Sequence, residues 1–98
     1  MNTAQPKVKT PSDLKFYHEM RNPASNYFER GTMRFFGDTM RNMSVSKVTM
    51  YDYYDDKVVE CYQLWRKSKT SKGAPAGALA CFDMDTFEVL HCLREIAE

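Results

Sequence analysis

Cysteine is scarce in this chain. There are three, Cys61, Cys81 and Cys92, too few and too scattered for a disulfide framework. Each lies among apolar neighbours, where a free thiol behaves as a small core residue. An odd count and the lack of a leader peptide point to a reducing cytoplasm. Long apolar runs are also missing. The longest uncharged stretch, roughly Gly73 to Phe82, is far shorter than the ~20 residues of a membrane span, so no membrane contact is expected. Close metal-ligand pairs are absent too. Cys81, His91 and Cys92 form neither CxxC nor HxxxH spacing, and the Asp83/Asp85 pair alone is a weak cation signal. No GxGxxG, P-loop or GxSxG occurs, and the adjacent His91 and Cys92 side chains point apart on either a strand or a helix, so they make no nucleophile–base dyad. These absences predict no catalytic residues, no metal and no cofactor, and therefore a protein that is not an enzyme.

What is present is enough for one folded domain. The chain has 98 residues with 43% hydrophobic and 13% aromatic content, which allows a single modest core. Net charge is +1, so no overall field draws it to nucleic acid or membrane. The halves differ, however. Residues 1–50 hold eight Lys/Arg against four Asp/Glu, and residues 51–98 hold six against nine, giving +4 and −3.

Along the chain, residues 1–13 carry Pro6 and Pro11 without any period and read as a flexible arm. The remainder, 14–98, reads as a single α+β domain. Leu14 to Arg21 fits two helical turns capped by Ser12 or Asp13, with His18 on the surface; Asn22-Pro23 then ends it. The segment Tyr27 to Met43 has the clearest helical period. Met33, Phe36, Met40 and Met43 share a buried stripe, and Arg30, Arg34, Asp38 and Arg41 face solvent or a partner. Gly37 lies between the stripes, at a cost of roughly 1 kcal/mol in a helix. This segment is expected to be the main helix, lying across one face of a sheet.

From Ser44 the period changes to two. Val48, Met50 and Asp52 alternate with Lys47, Thr49 and Tyr51 as far as Tyr54; 55–57 form a hairpin turn; 58–67 form the next strand. That strand sets Val59, Cys61, Gln63 and Trp65 against Val58, Glu60, Tyr62 and Leu64, and both faces are mixed. Residues 66–77 read as a mobile basic loop, 78–82 as an inner strand and 83–86 as a turn. Residues 87–96 read as a short strand passing into irregular or helical structure. The expected fold is thus α+β, an antiparallel sheet of three to four strands with one main helix packed across a face.

The candidate binding surface is the basic loop with the aromatics before it: Tyr62, Trp65, Arg66, Lys67, Lys69 and Lys72. Cations can follow a phosphate backbone while flat rings stack on bases. Arg30, Arg34 and Arg41 form a second candidate.

Tyr27-Phe28, the string Thr32 to Met40 (TMRFFGDTM), the YQLWRK strand with its basic loop, and CFDMDTFEV together resemble small accessory proteins of bacteriophages and other mobile elements, over about residues 27–90. The resemblance implies a context in which chains of this size block host defence nucleases, as anti-CRISPR proteins do, without chemistry of their own. It carries no catalytic residue to transfer. The implied partner is a host nuclease or CRISPR effector complex in the bacterial cytoplasm, with possible contact to its nucleic acid. Two other readings stand beside it: direct binding of single-stranded nucleic acid on Tyr51, Tyr53, Tyr62 and Trp65, and a homodimeric phage protein joined at Phe35.

Overall fold

The computed structural model describes residues 7–21, 34–35 and 38–96. Among these residues the fold is α+β, with one α-helix and a curled antiparallel sheet. The helix, α1 (Pro11–Arg21), begins inside the stretch expected to be an arm. Its start is a capping box, with Thr10 in the role expected of Ser12 or Asp13. Thr10 Oγ1 accepts from the Asp13 amide at 3.2 Å, and Asp13 Oδ2 accepts from the Thr10 amide at 3.2 Å. Pro11 occupies the first helical position, where its missing N–H costs nothing. Pro11, Leu14 and His18 are buried, at the spacing of one helical face.

The strongly periodic segment does not form the main helix where it is described. β1 (Arg34–Phe35) pairs antiparallel with β2 (Asp38–Thr39), and Met40–Asn42 make a 3-10 turn. The apolar residues that mimic a helical stripe are divided between elements. Met40 lies in the turn, packed against the core, and Met43 opens the next strand, buried. The expectations for Arg30, Met33, Phe36 and Gly37, and for the side chains of Arg34, Phe35 and Asp38, lie outside the described residues.

The main sheet has five strands rather than three or four: β3 (Met43–Asp52), β4 (Lys57–Arg66), β5 (Gly77–Asp83), β6 (Val89–Leu90) and β7 (Leu93–Glu95), in spatial order β6-β5-β4-β3-β7. The sequence alternation locates β3 and β4, and the short apolar run 78–82 locates β5, each to within two residues. The reading of 87–96 as one short strand is replaced by two, on opposite edges of the sheet. Leu90 and Leu93 are three residues apart, so their Cα atoms are at most about 11 Å apart. The edges of a flat five-stranded sheet would lie about 19 Å apart. The sheet must therefore curl, and Cys92, at φ 62°, sits at the corner.

The two faces carry two apolar clusters. One joins Tyr62, Leu64, Phe82, Met84 and Phe87 to Leu14 of the helix. The other joins Met50, Cys61 and Cys81, with Val48, Val59, Leu90 and Leu93 packed against them. The second cluster draws on all five strands and so lies on the inner side of the curl. The face carrying Tyr62 and Leu64 is the one that meets the helix, and the helix is α1.

Phe87 locks α1 to the sheet. Its ring is fully buried, stacked on Tyr17 at 5.5 Å and on Tyr62 at 6.1 Å. Its carbonyl accepts from Nδ1 of His18, and the His18 ring stands edge-on to Phe82 at 5.5 Å. His18 is only 2% exposed, not on the surface as expected. Burial lowers its pKa, against the opposing pull of the Phe87 carbonyl and the carboxylates of Glu19 and Glu88. The turn before Phe87 is closed by Asp83, whose Oδ1 accepts from the amides of Asp85 at 2.7 Å and Thr86 at 2.8 Å.

Candidate functional site

The β3–β4 ladder is ten residues long with no offset, from Met43↔Arg66 to Asp52↔Lys57. At about 3.3 Å per residue it spans about 30 Å. No Asp or Glu occurs between Asp38 and Asp52, or between Glu60 and Asp83. The register brings these two acid-free stretches side by side. One end of the ladder therefore carries Arg41, Arg66, Lys67, Lys69 and Lys72, with Lys47 near its middle, opposite Tyr62. The opposite end carries Asp52, Asp55 and Asp56 in the hairpin turn. Charge separates by the ends of the sheet, which the division into chain halves only partly captures.

The basic loop 67–76 is exposed, as expected, but its backbone is tied down at several points. The Lys67 amide donates to Asn42 O at 2.8 Å, extending the β3–β4 ladder by one step. Asn42 Nδ2 donates to Ser68 O at 2.9 Å, and Ser68 Oγ donates to Asn42 Oδ1 at 2.7 Å. The tip closes on itself: Gly73 N donates to Thr70 O and Thr70 N to Ala74 O, each at 2.9 Å. Gly73 adopts φ 95°, a conformation open to glycine at little cost. Arg66 Nη1 donates to Pro75 O at 3.1 Å, bracing the far side. Lys67, Lys69 and Lys72 are thus presented on a braced frame with their side chains exposed.

The aromatic residues fare differently. Tyr62 is 1% exposed and belongs to the core. Burial pushes its hydroxyl pKa up, against a backbone hydrogen bond from Val8. It cannot serve as a stacking surface. Trp65 lies on the other face of β4 and is 39% exposed. Tyr51 is also engaged: its hydroxyl donates to Asp56, and the Arg94 guanidinium lies over its ring at 4.9 Å. Tyr51 and Arg94 border a groove of about 240 Å³ with Val58, Glu95 and Ile96. Tyr53 and Tyr54 are exposed at the acidic tip, at the opposite end of the ladder from Lys67. Arg41 is exposed in the 3-10 turn, and Arg34 is in β1, so the two do not share a helical stripe.

Cys61 and Cys81 lie together on the inner face. The Cys61 thiol donates to Cys81, which with burial raises the pKa of Cys61 well above the usual thiol range. The same hydrogen bond lowers Cys81 to about 7; burial opposes this, and Gln63 Nε2, 3.9 Å from the sulfur, assists it. Among the described residues no group of three or more potential ligands is placed to hold a metal ion, and no helix is long and apolar enough to cross a membrane. No family model, curated protein or solved structure matches this chain.

Proposed function

We propose that this chain is a phage-encoded, non-enzymatic inhibitor that acts in the cytoplasm of the bacterial host. It docks its basic end on a host defence nucleoprotein, with a CRISPR effector complex as the favoured target, and obstructs the path of nucleic acid. The observation that supports this reading is the acid-free stretch 61–82, in which Lys67, Lys69 and Lys72 project from a hydrogen-bonded loop. Cations on a braced frame lose little freedom on binding, so more of their attraction to a polyanionic surface is retained. The resemblance of the TMRFFGDTM and YQLWRK segments to phage accessory proteins supplies the setting.

The test is phage plating on a bacterium with active CRISPR immunity, with and without the chain expressed. Plating should be restored by the chain. The Lys67→Glu, Lys69→Glu, Lys72→Glu triple variant should fold normally and lose that effect. Full protection by the triple variant would remove the loop from the mechanism, and no protection by the unaltered chain would remove the target class.

A further inference from the structure

We infer that the basic end takes an unpaired nucleic-acid strand, one base lying on the exposed ring of Trp65 and the neighbouring phosphates on Lys67, Lys69 and Lys72. This deepens the proposed function by naming which part of the nucleoprotein is held, and it rests on that reading for its biological setting alone.

The register explains why the ring is open. Trp65 is paired across the sheet with Ser44 on one side and Ala78 on the other. Both are small, so neither covers an indole. The next rung on the same face pairs Ser46 with Gln63 and Gln63 with Cys81, and the apolar cluster of the inner face begins there, at Cys81. A bulge between Leu64 and Trp65 shifts β5 by one residue at this point and marks the end of the regular packing. The largest ring in the chain is thus accessible two residues from Lys67, within the stretch 61–82 that contains no Asp or Glu.

The chemistry separates the possible polyanions. A duplex keeps its bases stacked on each other and offers only their edges. An acidic protein surface supplies carboxylates but no flat partner for the indole. An unpaired strand supplies both phosphates and free base faces.

The chain contains one tryptophan, so its intrinsic fluorescence reports on Trp65 directly. The purified chain is titrated with a short oligothymidylate, a duplex of equal length and inorganic polyphosphate. The single strand should quench the emission saturably. Its affinity should fall with salt at a log–log slope of about −2, from roughly 0.7 per contact and three lysines. Trp65→Ala, followed by anisotropy of a labelled strand, should weaken binding roughly 5- to 140-fold, the equivalent of about 1–3 kcal/mol for one stacked base. Trp65→Phe should recover part of the loss. Equal binding of polyphosphate or duplex, or unchanged affinity in Trp65→Ala with native circular dichroism, overturns the inference.

Plating keeps the two readings apart. If the chain protects phage but does not bind the strand, this inference fails and the inhibitor reading stands. If it binds the strand with quenching but gives no protection, this inference holds and the inhibitor reading fails.

Discussion

Phe87→Ala is expected to remove about 4 kcal/mol of folding stability. The ring is fully buried between Tyr17 and Tyr62, nearly parallel to the second at 5°. Truncating a buried Phe to Ala costs roughly 3–5 kcal/mol, which includes the cavity left behind. The upper part of that range applies if both ring contacts are lost, since each stacked pair contributes about 0.5–1.5 kcal/mol beyond area. The backbone adds a second, separable effect. Phe87 sits at φ 60°, where a Cβ costs roughly 1–2 kcal/mol. Alanine keeps that strain and glycine releases it. Phe87→Gly should therefore be about 1 kcal/mol more stable than Phe87→Ala, the reverse of the usual order, in which glycine is worse by about 0.5–1 kcal/mol. Domains of this size are stable by about 5–15 kcal/mol, so both variants should remain measurable by equilibrium urea unfolding followed by far-UV circular dichroism. A loss below about 1.5 kcal/mol in Phe87→Ala would show that the ring does not lock helix to sheet. A glycine variant weaker than the alanine one would refute the strain argument.

Other outcomes follow from the same geometry. Because burial holds the folded-state pKa of His18 below its ordinary value of about 6.5, the unfolded chain takes up that proton first. Stability should be full above pH 6.5, fall as pH drops below it, and level off beneath the folded-state pKa. His18→Gln should flatten that part of the profile, and identical slopes for both proteins between pH 7 and 5.5 would contradict the assignment. Asn42→Ala removes both side-chain hydrogen bonds to Ser68 and should cost about 1–2 kcal/mol. Its sharper signature is faster amide exchange at Thr70, Gly73 and Ala74, and unchanged protection there would mean the loop is braced without it. The Lys67, Lys69, Lys72 triple glutamate variant touches only exposed side chains, each expected to shift stability by no more than about 0.5 kcal/mol. A collapse in melting temperature would show that these lysines contribute to folding.

The legible parts of the fold were those governed by neighbours in sequence. Strands β3 and β4 show period-two alternation and β5 a short apolar run, each bounded by turn residues, and these signals are local. The described part of the 27–43 segment misled because Met40 and Met43, three residues apart, belong to adjacent short elements, a 3-10 turn and a strand. Two-residue strands such as β1 and β2 have no period to read. Helix α1 was legible as a helix, but its buried face includes a histidine, and polarity alone places histidine outside. At the candidate site, the basic composition of 66–72 was visible from sequence. Which aromatic accompanies it was not, since Tyr62 and Trp65 lie three residues apart on a strand whose two faces are both partly buried.

The sequence by itself determined an α+β domain with a central antiparallel ladder and a cationic loop, because alternation and turn chemistry act over a few residues. Tertiary structure alone decided that two acid-free stretches meet at one end of the sheet, that Tyr62 faces the helix and Trp65 the solvent, and that residues 89–95 close the curl. Those outcomes depend on strand register and on which face α1 covers, and both are set by contacts between residues distant in the chain.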